Sequence, residues 1–171
     1  MSTAPCRFMD RYPEEGRGPI PVERYTSQEY FDLERERVFR RKWLNVGRVE
    51  QAPNPGDYFV ADLKILDTSL LVIRGKDGEY RAFHNMCSHR GAPVAWDAEG
   101  SCRGYLACRF HGWVYDTTGK LVQITDAENF PGVNPAENGL TPVHCAIWKG
   151  FVFVNLADRP EQTLLEYLGP V

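Results

Sequence analysis

The sequence has no apolar run long enough to cross a bilayer. Its longest, Leu70-Leu71-Val72-Ile73 and Phe151-Val152-Phe153-Val154, span four residues each, against the roughly 20 that a spanning helix needs. Met1 to Ile20 is broken up by Arg7, Asp10, Arg11, Glu14, Glu15 and Arg17, so it lacks the continuous apolar stretch of a secretory leader. No sign of charge dominates. The 20 Lys and Arg against 23 Asp and Glu leave a net charge of -3 in 171 residues, too little to gather nucleic acid or an anionic membrane. No motif recurs at a fixed period, which sets aside solenoids and propellers. Histidine is scarce, with four. Cysteine is odd in number: Cys6, Cys87, Cys102, Cys108 and Cys145. In a chain without a leader this argues against a disulfide framework and for metal or redox chemistry in a reducing compartment, with the cytoplasm as the default.

What is present suffices for one compact core, at 43% hydrophobic. Residues 1–24, rich in Pro, Gly and charge, read as an irregular arm. Thr26 followed by Glu29 is a capping-box pattern that predicts a helix over roughly 27 to 41, within a leading segment 25–44. Tyr30, Phe31, Leu33, Val38 and Phe39 would form its buried face. From Asn54-Pro55-Gly56 the period shortens, and residues 45–157 read as an all-β domain. Residues 69–74 and 79–84 flank Gly75-Lys76-Asp77-Gly78, and Val114-Tyr115 and 120–122 flank Asp116-Thr117-Thr118-Gly119, predicting two hairpins. Residues 146–156 read as one late strand with a bulge or bend at Gly150. A short helix opening at Asp158 and Pro160 and stopping at Gly169 occupies a final segment, 158–171.

Two segments concentrate the chemistry: Asn85-Met86-Cys87-Ser88-His89-Arg90-Gly91 and Ala107-Cys108-Arg109-Phe110-His111-Gly112-Trp113. Each supplies one thiolate and one imidazole, as C-x-H and C-x-x-H, separated by 18 residues from His89 to Cys108. Two cysteines on one iron and two histidines on the other, Cys87, Cys108, His89 and His111, would ligate an asymmetric 2Fe-2S centre of Rieske type. The alternative is structural zinc, which usually pairs like ligands in each loop, whereas here each loop mixes the two. Gly91 and Gly112 follow the ligand segments, and amides beside such glycines can donate to sulfur. Arg90 and Trp113 flank ligands and would either shape a partner interface or pack the loops. Tyr115 can reach a ligand sulfur, although a tyrosine in a hairpin strand is more often packing. Cys6, Cys102 and Cys145 read as an arm, a loop and a strand residue.

The two segments resemble the cluster motif of Rieske non-haem iron oxygenases, the aromatic-ring-hydroxylating enzymes among them, in the N-terminal domain of their alpha subunits. Glu29-Tyr30-Phe31 through Trp43 and Val46-Gly47-Arg48 resembles the stretch leading into that domain. Residues 148–156 resemble the strand leaving it, so the likeness covers most of 25 to 168. It implies a mainly β fold: a Rieske-type antiparallel β-sandwich with a two-loop cluster-binding subdomain and an N-terminal helix. It also implies one-electron transfer from a ferredoxin or flavin reductase, through the cluster, to a mononuclear Fe(II) in an oxygenase catalytic domain, and a possible homotrimer. No nucleic acid and no membrane partner is expected. The other reading is a stand-alone Rieske ferredoxin.

Two departures refine these expectations. High-potential Rieske proteins join their loops by a disulfide and add a serine hydroxyl on sulfur, but here Ala92, Phe110 and Trp113 occupy those positions. Fewer hydrogen bonds to sulfur place the potential toward the low end of the roughly -150 to +300 mV Rieske range. A mononuclear iron site needs two histidines and a carboxylate. Only His84 and His144 remain, and the family's His-x-x-x-x-His pattern does not occur. That iron is therefore expected in a catalytic domain outside this chain, and no oxygenase activity is expected of the chain alone. The leading helix and the tail Leu164-Leu165-Glu166-Tyr167-Leu168-Gly169-Pro170 favour the oxygenase reading over the ferredoxin.

Overall fold

The computed structural model describes residues 19 and 21–170. Most of the expected arm, including Cys6, lies outside the described residues. The chain divides into two units at Glu34/Arg35. In the first, α1 spans Glu23–Thr26 and α2 spans Gln28–Glu34. Ser27, not Thr26, caps α2: the Tyr30 amide donates to Ser27 Oγ at 3.4 Å, while the Thr26 hydroxyl turns back to the Val22 carbonyl at 3.3 Å. The helix predicted over 27 to 41 is α-helical only to Glu34, and Arg35–Phe39 continues as a π-helical turn. No side chain of α2 is buried, contrary to the expected buried face. Three- and four-residue spacing decides which side chains share a face, not whether anything covers it.

The second unit is mainly antiparallel β, as expected. Its strands are β1 (Leu44–Arg48), β2 (Asp57–Leu63), β3 (Thr68–Arg74), β4 (Tyr80–His84) and β5 (Glu99–Ser101). β6 (Tyr105–Ala107), β7 (Val114–Asp116), β8 (Leu121–Gln123), β9 (Pro142–Trp148) and β10 (Phe151–Asn155) follow. Seven form one sheet in the order β1-β10-β9-β4-β3-β2-β5, and β6-β7-β8 form a second. Both expected hairpins are present, as β3–β4 and β7–β8.

Two boundaries differ from expectation. The single late strand is a hairpin, with Phe151 opposite Trp148. Lys149 and Gly150 both have positive φ, 46° and 83°, as a two-residue type I′ turn requires. The last helix, α3, begins at Leu164 rather than near Asp158. The Thr163 hydroxyl accepts from the Glu166 amide, and the Glu166 carboxylate accepts from the Thr163 amide at 2.8 Å, a reciprocal cap that fixes the start.

β3 joins the two halves of the second unit. Leu70, Leu71, Val72 and Ile73 are fully buried. Leu70 and Val72 pack with Phe59, Val152 and Val154 in one apolar cluster; Leu71 and Ile73 pack with Leu106, Trp113 and Tyr115 in the other. Burial on both faces is what a continuous apolar run produces in a strand. At about 1.5–3 kcal/mol per buried large aliphatic side chain, this strand anchors both the body of the sheet and the region that carries the two cysteine-histidine segments.

Candidate metal centre

The two segments are the connection between β4 and β5 and the turn between β6 and β7, and their backbones close in the same way. The Cys87 amide donates to the Ala92 carbonyl at 2.8 Å, and the Gly91 amide donates to the Cys87 carbonyl at 2.9 Å. In the other loop, the Cys108 amide donates to the Trp113 carbonyl at 2.8 Å, and the Gly112 amide to the Cys108 carbonyl at 2.9 Å. Each loop thus turns back at the fifth residue, a glycine with φ of 75° at Gly91 and 70° at Gly112, in the region that favours glycine. At Gly112 a side chain would also run into Thr125, whose hydroxyl donates to the Gly112 carbonyl at 2.9 Å.

The first loop has an internal strut. Asn85, 7% exposed, donates from Nδ2 to the Ala95 carbonyl at 2.8 Å and accepts at Oδ1 from the amides of Val94 at 3.1 Å and Ala95 at 2.9 Å. It spans the connection from start to end and satisfies three backbone groups that no strand pairs.

Folding brings the donors together as two like pairs, although each loop mixes them. The Cys87 and Cys108 thiols are buried, 3% and 2% exposed, and close enough to interact. Burial pushes the Cys87 thiol up, opposed by hydrogen bonds from the Tyr115 hydroxyl and the His89 amide, with the Cys108 thiol adding to the rise. The His89 and His111 rings lie edge to face with centroids 4.5 Å apart, both half-buried. Burial is the main cause that lowers the His89 imidazole, followed by the charges of His111 and Arg90. Trp113 stacks on His89 at 4.9 Å and 13°, and Phe130 stands edge-on to both rings at 5.2 and 5.7 Å.

His89 Nδ1 is buried without a hydrogen-bond partner. An unmatched buried polar atom costs about 1–3 kcal/mol, and a metal ion would use this lone pair. Among the described residues no three His, Cys, Asp or Glu side chains gather closely enough to hold a metal ion, so the fit rests on the chemistry of the two donor pairs. A thiol pair beside an imidazole pair suits a binuclear cluster with unlike irons better than the single tetrahedral shell of structural zinc. The donor set therefore fits a Rieske-type 2Fe-2S group.

Tyr115 does more than pack. It is fully buried, and its hydroxyl lies 3.1 Å from Cys87 Sγ, 3.1 Å from the Ser88 amide and 2.9 Å from Ser88 Oγ. Burial pushes the phenol far up, so it stays protonated. Arg90 is exposed. Asn85, Ser88 and Phe130 escape the sequence reading. An asparagine just before the motif was a usable signal, but nothing local marks Phe130. His84 and His144 line a separate groove with Thr141 and Asp158, where the His144 ring nitrogen meets the Asp158 carbonyl at 3.1 Å.

A family model described as the Rieske [2Fe-2S] domain matches residues 42–141. Chlorobenzene dioxygenase subunit alpha of Cupriavidus sp. (strain PS12) is 35% identical over 165 residues, 96% of this chain and 36% of the relative. The carnitine monooxygenase oxygenase subunit of Escherichia coli (strain K12) is 33% identical over 147 residues, 86% of this chain and 38% of the relative. Among solved structures, naphthalene 1,2-dioxygenase from Rhodococcus sp. bound to indole superposes with a TM-score of 0.80 at 31% identity, covering 88% of this chain and 34% of that one. The quaternary ammonium Rieske monooxygenase CntA with L-carnitine gives 0.78 at 27% identity, covering 85% and 40%. The chain thus spans little more than a third of the curated relatives' length.

Proposed function

The chain belongs to the Rieske [2Fe-2S] domain family, whose cofactor is a 2Fe-2S cluster, and from that premise we propose that it is the electron-entry domain of a Rieske oxygenase alpha subunit. Cys87 and Cys108 would hold one iron, and His89 and His111 the other. The observation that carries this assignment is the pairing of two buried thiols beside two half-exposed imidazoles, one with an orphaned Nδ1. When bound, such a cluster accepts and returns one electron at a time.

The protein's own groups set the terms. Burial of both cysteines keeps water from the sulfur side. Trp113 and Phe130 wall His89 on its inner flank, and the two imidazoles retain exposure through which a partner is reached. The donor would be a ferredoxin or flavin reductase, and the acceptor a mononuclear non-haem iron in an oxygenase catalytic domain, in a homotrimer of the full-length protein. Similarity to a dioxygenase alpha subunit over 96% of the chain supports this context over a stand-alone carrier. No described helix is long and apolar enough to cross a membrane.

Metal and sulfide analysis with visible and EPR spectra tests the assignment. Iron and acid-labile sulfide in equal amounts, with an EPR signal that appears on one-electron reduction, are expected. One zinc per colourless chain would overturn it. Cys87→Ser and His89→Ala should each abolish the signal.

A further inference from the structure

Ser88 lies next to Cys87 and is exposed, yet its hydroxyl is held from both sides. Ser88 Oγ is 2.6 Å from the Asn138 carbonyl oxygen and 2.9 Å from the Tyr115 hydroxyl. A carbonyl only accepts, so the single Ser88 hydroxyl proton goes to Asn138. The Ser88 amide donates to the Tyr115 oxygen at 3.1 Å. The one Tyr115 proton then has two acceptors, Ser88 Oγ at 2.9 Å and Cys87 Sγ at 3.1 Å. The Asn138 carbonyl is itself fixed. It follows the helical turn Pro135–Glu137, capped by Asn134, and Asn138 Nδ2 donates to the Asn134 carbonyl at 2.8 Å.

We propose that Ser88 is a positioning residue that draws the Tyr115 proton away from the Cys87 sulfur and so holds the reduction potential of the centre below the value Tyr115 would otherwise set. This rests on the reading of Cys87 as a cluster ligand. Reduction adds one electron to the centre, and the Tyr115 proton stays on its oxygen throughout, with no covalent bond made or broken. A hydrogen bond to sulfur favours the more negative, reduced form. Sharing that proton with Ser88 weakens the preference. Loss of the Ser88 oxygen should therefore raise the potential, the opposite of what the loss of a polar neighbour ordinarily does to a reduced anionic centre.

The test is an EPR-monitored redox titration of the cluster-loaded full chain, at a pH low enough that the potential no longer varies with pH. Ser88→Ala should rise by up to about tenfold in the one-electron reduction equilibrium, which is about 59 mV. Ser88→Thr keeps the hydroxyl and should stay near wild type. Tyr115→Phe should fall below wild type, and adding Ser88→Ala to it should then change nothing. Ser88→Gly removes the same oxygen and replaces Ser88→Ala if that variant loses its cluster. A potential that is unmoved or lowered in Ser88→Ala overturns the proposal, as does an equal rise in the Tyr115→Phe background. A wild-type chain without an iron-sulfur signal overturns the ligand assignment as well, which separates the two failures.

Discussion

Replacing Asn85 by alanine tests whether one buried amide holds the first cysteine-histidine loop. Its side chain makes three good hydrogen bonds, at 2.8, 2.9 and 3.1 Å, to the carbonyl of Ala95 and the amides of Ala95 and Val94. Val94 and Ala95 are 3% and 4% exposed, so water does not readily replace the lost partner. Each bond contributes about 0.5–1.5 kcal/mol net, and a stranded buried group costs about 1–3 kcal/mol. For three groups that partly relax together, the expected loss is about 3 kcal/mol. At about 2–4 °C per kcal/mol for a domain of this size, the melting temperature should fall by about 6–12 °C. Far-UV circular dichroism and the visible bleaching that marks cluster release should both shift, because the strut and the ligands share a loop. Asn85→Asp should not rescue the loss, since it sets a carboxylate oxygen against the Ala95 carbonyl. A change within about 0.5 kcal/mol, the range of ordinary surface substitutions, would refute the strut.

Two further outcomes follow from turn geometry and burial. Gly112→Ala must hold an L-residue at φ 70° and displace Thr125. It should cost more than the about 1–2 kcal/mol of the left-handed conformation alone and lower the iron bound per chain, whereas Gly78→Ala, with φ 85° and nothing near its Cβ, should keep full occupancy; equal occupancy in both would refute the close fit at Gly112. His84 is held below the ordinary imidazole value of 6.5, by burial first and the Arg40 charge second. The unfolded chain therefore binds this proton before the folded one, so the stability linked to His84 is complete above about pH 6.5 and is lost as pH falls below that value through the lower folded one. His84→Gln should flatten urea stability between pH 7 and pH 5, and an unchanged slope would count against this assignment.

Legibility in the sequence followed the distance over which each feature is determined. The β3–β4 and β7–β8 hairpins were readable because their turn residues sit between the strands they join. So were the two loops that carry Cys87, His89, Cys108 and His111, because each is a local motif closed by its own glycine. The β9–β10 hairpin was missed because Lys149-Gly150 lacks the Asn-Gly or Asp-Gly form of most type I′ turns, and its two strands merged into one apolar run. The α3 start was misplaced because Pro160 outweighed the Thr163-to-Glu166 pair, although that pair was visible. The exposure of α2 was not readable, since spacing carries no record of what lies opposite. The Ser88 contacts of Tyr115 and the placement of Phe130 depend on contacts across 27 to 41 residues of chain, which no local pattern encodes.

The central claim is that two thiols hold one iron and two imidazoles the other. A Mössbauer spectrum of the oxidised, 57Fe-loaded chain addresses it most directly. Two quadrupole doublets of equal area and different isomer shift are expected, with only one of them moving toward ferrous values on one-electron reduction. A single doublet, with both irons in the same environment, would contradict the account.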